Sequence, residues 1–388
     1  MLSISSLILT FHLLRPSFAA EIPSPQYNGP PAVAQIERSA WPFSIDSPAG
    51  FDRASRAEIL SLVHSLETFE KGAINPQSLG LTEKSFSKES ITLWKKNAFS
   101  ILVKNFHRAS SNCSPKKDIT CPSSKIEIST IGNFSKFFFQ KLPQNLAAWQ
   151  KETQTFFDTY AKEQLRLAAL FPKISSEILP LHPDEILGDK LKDRSFLLTF
   201  DDGPTEKEGS TDRLAQKLRD LGIHAFFFSL GSELEKRKQS NGWESLRDLY
   251  SSHCLASHGK IHSPHPKLSN WKESLDFTLL KIKEVQAQNP TKSKQIYFRP
   301  PFGQRTAEIS AYSKENKSPV ILWNIDTQDW NPMIRAEAAW GRLQKLMLVW
   351  RKGIVLFHDV HPKAEKILPS IEQFMQTNGL IFADCRDY

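Results

Sequence analysis

No apolar run in these 388 residues approaches the ~20 that a membrane-spanning helix requires, so no stable membrane span is expected. Cysteine is scarce: there are four, none with CxxC spacing, which excludes a thiolate zinc site. Cys113 and Cys121 stand eight apart in the polar loop-like "NCSPKKDITC", where a local bridge is expected. Cys254, in the strand-like "HCLAS", and Cys385, near the C-terminus, read as separate buried thiols. Internal repeats and low-complexity tracts are missing, which excludes a solenoid. Although Lys and Arg exceed Asp and Glu for a formal charge of +8, they are dispersed and match no nucleic-acid module; no nucleic-acid partner is expected. No Lys or Arg precedes the apolar stretch of "MLSISSLILTFHLLRPSFAAE". Its length and the small-x-small pattern Ser17-Phe18-Ala19 nevertheless read as a signal peptide over 1–19, with a secreted or periplasmic destination.

What is present falls into two textures. Residues 20–50, rich in Pro and turn formers, read as an extended arm. Over 51–180 apolar residues recur at three and four: Ile59, Leu60, Val63, Leu66 and Phe69, then Leu93, Trp94, Phe99, Leu102 and Phe106, then Trp149, Phe156, Tyr160 and Leu167. That spacing predicts a helical accessory domain whose stripes form a core. Residues 181–194 read as a linker. From 195 to 388 short apolar runs alternate with helical ones. Strands are expected at 196–200, 225–230, 254–257, 296–298, 320–325, 354–357 and 380–382. Seven such units predict an α/β fold, a deformed parallel (β/α)7-type barrel preceded by a mainly helical N-terminal domain.

The polar clusters sit where these strands end: Asp201-Asp202, "SHGKIHSPH", "RPPFG", "DTQDW" and "HD". In parallel β/α barrels the C-terminal strand ends converge on one face, so the five clusters are expected to meet. Two His and a carboxylate with open positions make a catalytic divalent-metal site, for which zinc is the favoured ion. His258 and His262, four apart, would face one way on a helical turn; His265, three further on, leaves a His262 and His265 pair as an alternative. Of the adjacent carboxylates one ligates the metal and the other serves as general base, the cation offsetting their repulsion.

Taken in order, "TFDDGP", "SHGKIH", "RPPFG", "DTQDW" and "IVLFHD" resemble the five motifs of the polysaccharide deacetylases with the NodB-homology domain, carbohydrate esterase family 4. The resemblance covers roughly 195–388 and implies metal-dependent hydrolysis of N-acetyl groups on a sugar polymer. It implies Asp201 as general base oriented by Arg299, and Asp202, His258 and His262 as metal ligands. It further implies His358 as general acid held by Asp329, the Phe302 backbone N–H as oxyanion donor, and Trp330 and Leu356 as pocket walls. Two departures stand out: Gly259 where Ser or Thr is common, and Phe302 where Tyr is frequent. Peptidoglycan N-acetylglucosamine is the favoured substrate. The alternatives are chitin, poly-N-acetylglucosamine or acetylated xylan, or a non-catalytic glycan-binding protein on the same fold.

Overall fold

The computed structural model describes residues 33–71, 74–287 and 294–388. The expected signal peptide over 1–19, and the arm up to residue 32, lie outside the described residues.

Four long helices precede the sheet: α1 (Pro48–Lys71), α2 (Lys88–Ala109), α3 (Ile128–Gln140) and α4 (Ala147–Leu170). The expected stripes form their core, with Ile59, Leu60, Val63, Leu102, Phe106 and Trp149 all within a single apolar cluster. Leu93 is the exception: it is 51% exposed, because it stands beside Trp94 on the outer side of α2. Helix α3 was not anticipated between the disulfide loop and Pro143. Its capping box, Glu127 with Thr130, is a short-range start signal in "EIST".

The sheet strands are β1 (Ser195–Asp201), β2 (Phe226–Ser229), β3 (Cys254–Ser257), β4 (Ile325–Asp326), β5 (Gly353–His358) and β6 (Ile381–Phe382). All described pairings are parallel, in the order β3-β2-β1-β5-β4. β6 pairs with Ser195 and Phe196, below the point where β2 begins at Thr199. Two expected strands are reduced to single bridges: Ser257 to Phe298, and Phe298 to Val320. These bridges carry the path from β3 round towards β4, which is why the barrel is deformed. Residues 181–194 are no free linker, since Ile186 pairs with Ile321 and Leu322 N donates to Ile186 O at 2.9 Å. Helices α5 (Ser210–Asp220), α6 (Gly231–Leu249), α7 (Trp271–Gln286), α8 (Ala307–Glu315), α9 (Ala336–Trp350) and α10 (Pro362–Thr377) connect or flank the strands.

Strand parity splits the core in two. Leu197, Ile354 and Leu356 join Phe298 and Trp323 in an inner cluster, while Phe196, Leu198, Phe200, Val355 and Phe357 face the helices. Helix α9 is buried on both sides, against the barrel and against α1, α2 and α4, which explains why "AAWGRLQKLMLVW" is apolar almost all round. Polar groups at this contact are paired. Glu58 of α1 accepts from Trp149 Nε1 (2.9 Å), Thr153 Oγ1 (2.7 Å) and Lys345 Nζ of α9 (2.6 Å). Arg342 is held by Glu163 of α4 through contacts of 2.8 and 3.2 Å. Buried ions left unpaired cost several kcal/mol each, so this pairing fixes how the helical layer seats on the barrel.

Both cysteine pairs are closed. Cys113–Cys121 is the expected local bridge. Cys254 and Cys385, read from the sequence as separate thiols, are instead joined across 131 residues. The parallel sheet sets the first residue of β3 beside the C-terminal turn, with Cα atoms 6.0 Å apart, a proximity that sequence spacing cannot show.

Candidate active site

Parity along β1 sends Leu197, Thr199 and Asp201 inward, and would send Asp202 out. The chain reverses this at Asp202 itself, whose φ is +85°. Both carboxylates thereby reach one recess. Gly203 is required just after them: a Cβ there would lie 2.0 Å from Asp359 Oδ2, while its N–H donates to Asp359 Oδ1 at 2.9 Å.

The two acids are held differently. Asp201 is buried, and its Oδ1 accepts from Arg299 Nη1 at 2.8 Å. Arg299 is itself fully buried, donates to Thr199 Oγ1 (2.8 Å), and lies over the Phe228 ring at 4.0 Å. Burial pulls the guanidinium pKa down and Asp201 opposes that shift. Asp202 Oδ1 is buried without a hydrogen-bond partner among the described residues, yet His258 Nε2 and His262 Nε2 each stand 3.4 Å away. His258 Nδ1 bonds the Arg299 carbonyl at 2.7 Å, which leaves Nε2 directed at the recess. Burial alone would raise the Asp202 carboxyl; His258, His262 and His358 more than offset it and hold it well below the usual carboxylate range.

Asp202, His258 and His262 offer three ligand atoms within 4.8 Å of one another, and among the described residues this is the one cluster of that kind. An orphaned carboxylate oxygen facing two imidazole nitrogens fits a divalent cation. The two His do not owe their meeting to a helical turn. Residues 258–264 are a loop turned at Gly259, φ +79°, where a Cβ would lie 2.4 Å from His265 Cε1. The same contact disposes of His265 as a ligand. Its ring is fully buried beneath Gly259, 5.1 Å from the Phe298 ring, with Nε2 3.3 Å from Ser274 Oγ, and burial pushes its pKa down to about 4. The glycine at 259 and the displaced histidine are thus one feature.

Opposite the triad, His358 ends β5, paired in register with Asp201. Its Nδ1 contacts Asp329 Oδ1 at 2.9 Å, and its backbone N–H donates to Asp329 Oδ2 at 2.9 Å. Burial would lower this imidazole, but Asp329, Asp202 and Asp201 raise it to about 10. Leu356 lies two residues earlier on the same inward face. Phe302, 37% exposed with φ +59°, packs its ring 4.4 Å from that of His262 at the mouth, and Trp330 is half-buried beside Asp329. Every residue singled out from the sequence lies on a strand of this one face or on the loop that follows a strand.

Sequence reasoning missed Asp359, which directly follows His358 and was legible as the last letter of "FHD". It is fully buried, and burial together with the Asp202 charge pushes it up to about 8. Thr199 was missed too. Its hydroxyl donates to Val355 O at 2.6 Å and accepts from Arg299, and only the register of β1 against β5 reveals it.

A parallel β/α barrel with a carboxylate and two imidazoles gathered at its strand ends defines a metal-site hydrolase fold. Residues 188–320 match the polysaccharide deacetylase family, so this part of the chain is a polysaccharide deacetylase domain of the NodB-homology type, a hydrolase class acting on amide bonds. The match stops before "DTQDW" and "IVLFHD". Chitin deacetylase 1 of Saccharomyces cerevisiae is 29% identical over 196 residues, 48% of this chain and 59% of that protein. Peptidoglycan-N-acetylglucosamine deacetylase PgdA of Listeria monocytogenes is 27% identical over 228 residues, 57% of this chain and 44% of that protein. The chain therefore spans about half the length of these curated relatives. Among solved structures, the chitin deacetylase of Colletotrichum lindemuthianum aligns with 19% identity and a TM-score of 0.43, covering 54% of this chain and 93% of that one.

Proposed function

We propose that this protein removes N-acetyl groups from a sugar polymer by metal-dependent hydrolysis, with N-acetylglucosamine of peptidoglycan as the favoured substrate and acetate as a product. The observation that carries the reading is the division of the adjacent carboxylates. Asp201 is held by Arg299, and Asp202 faces two imidazoles, with a charged His358 across the recess.

Asp202, His258 and His262 would hold the ion, zinc being favoured, which when bound lowers the pKa of water to about 7 and polarises the acetyl carbonyl. Asp201 takes a proton from the attacking water; the Arg299 contact fixes its oxygen and keeps it from turning towards the ligands. As the C–N bond breaks, His358 Nε2 delivers a proton to the departing nitrogen, and Asp329 keeps Nδ1 protonated and the ring in place. The backbone N–H of Phe302 is assigned to the developing oxyanion, while Leu356 and Trp330 bound the acetyl pocket. Export to an oxidising compartment accords with the two disulfides. Among the described residues no helix is long and apolar enough to cross a membrane.

The test is acetate release from purified peptidoglycan, chitin oligomers and acetylated xylan by the zinc-loaded protein. Release from peptidoglycan in the fastest arm supports the reading. Turnover of chitin oligomers with none of peptidoglycan removes the substrate assignment, and no release in any arm with any divalent metal removes the activity.

A further inference from the structure

A second acidic recess adjoins the site, and half of it comes from outside the deacetylase match. Glu177 lies on the segment after α4, where Arg305 sets its position. Arg305 Nη1 donates to Ser176 O (2.8 Å) and Gly303 O (2.9 Å), and Nη2 donates to Leu179 O (3.1 Å). Ser175 Oγ donates to Arg305 O (2.6 Å) and accepts from Arg305 N (2.8 Å). The Ser176–Glu177 backbone is thereby laid on Gly303, next to Phe302 at the mouth: a Cβ on Gly303 would be 3.1 Å from Ser176 Cα and 3.3 Å from Glu177 N. Asp326 ends β4, three residues before Asp329. Its Oδ1 accepts from Gln328 N and its Oδ2 from Gln328 Nε2, both at 2.8 Å.

Neither acid has its own cation. Arg305 is bound by Glu185, and Arg342, whose Nε donates to the Asp326 backbone carbonyl, is bound by Glu163. Among the described residues no Lys, Arg or His lies within ion-pair distance of Glu177 or Asp326. Gln328, 9% exposed with φ +59°, leaves its Oε1 buried and without a hydrogen-bond partner among the described residues. The unmet groups here are all acceptors: two carboxylates and an amide oxygen. Burial, helped by the Asp326 charge, pushes Glu177 up to about 7, and burial raises Asp326 as well. Both side chains are half-buried, open to a ligand yet poorly hydrated.

We propose that Glu177, Asp326 and Gln328 form a subsite for a primary ammonium group, that of a sugar unit of the polymer whose acetyl has already been removed. An ammonium carries three N–H donors and one positive charge, the complement of three acceptors and two repelling acids. The assignment rests on the deacetylase reading, because the amine is that reaction's product. It gives the segment leading out of the helical layer a role in recognition, and it makes a partly deacetylated chain a better ligand than a fully acetylated one.

The test is calorimetric titration of the full-length, zinc-loaded protein with glucosamine trimer and with N-acetylglucosamine trimer, for wild type, Glu177→Gln, Asp326→Asn and the double variant. The double variant is expected to lose at least tenfold more affinity for the glucosamine trimer than for the acetylated one, and wild-type binding of the former is expected to weaken with salt. Equal losses for the two trimers, or none, overturn the proposal. Should Asp326→Asn fail to fold by circular dichroism, Glu177→Gln alone decides: a threefold selective loss supports the subsite and no selective loss refutes it. Acetate release by wild type is measured alongside. Its absence with selective glucosamine binding intact defeats the hydrolase reading and leaves the subsite; normal release without selective binding does the reverse.

Discussion

Replacing Asp329 by Asn changes one oxygen to nitrogen and removes the charge that dominates His358. In the native protein the imidazole stands at about 10 against an ordinary 6.5, although it is 9% exposed and burial pulls the other way. That rise of roughly 3.5 units corresponds to about 5 kcal/mol of preference for the charged ring. Because the folded pKa is raised, the associated stability is fully present below pH 6.5 and is lost as pH climbs through about 10. In the Asp329→Asn variant the burial penalty remains while the contact partner at 2.9 Å loses its charge, so the midpoint should fall by about 2 units or more. The assay is a proton NMR titration of His358 Cε1–H in chelator-treated protein, with urea unfolding at pH 6, 8 and 10. Wild type should lose stability across that range and the variant much less. Acetate release at pH 7 should drop on the order of 10²–10³-fold in the variant, the usual scale for a misplaced general acid. A wild-type midpoint near 6.5, or the same midpoint in both proteins, refutes the reasoning.

Other outcomes follow from the same geometry. His262→Gln should abolish stoichiometric zinc binding, whereas His265→Gln should retain it; equal loss in both, read by metal analysis after dialysis, would return His265 to the ligand set. Removing the Cys254–Cys385 link with a pair of serines frees 131 residues of chain, worth about 2–5 kcal/mol, and should lower the urea midpoint without altering zinc stoichiometry. Gly203→Ala forces a Cβ to within 2.0 Å of Asp359 Oδ2, so the turn carrying Asp202 must shift; acetate release should fall at least tenfold, and an unchanged rate would show that this turn does not set the ligand.

The face on which the site forms was legible because each polar cluster ends an apolar run, and parallel strands deliver their ends to one side. The triad, the Arg299–Asp201 contact and the His358–Asp329 pair were legible as residue types. The reason for the first of these was read imperfectly. The His258 and His262 spacing suggested a helical turn, but a loop bent at Gly259 brings the rings together, and His265 fills the space that a side chain at 259 would need. Strands at 296–298 and 320–325 were overextended, because apolar runs identify buried backbone and not how many ladder bonds it makes. Helix α3 escaped notice because its start lies in a capping box inside a polar stretch.

By itself the sequence determined which residues could do chemistry and which strand ends would carry them, since alternation and helical spacing are local properties of the chain. The tertiary structure alone decided the pairings between distant segments: the bond between Cys254 and Cys385, the burial of His265, the positive φ that turns Asp202 inward, and the arrival of Glu177 beside Gly303. Each of these depends on which surfaces the packed sheet and helices bring within a few ångströms, and no spacing along the chain encodes that distance.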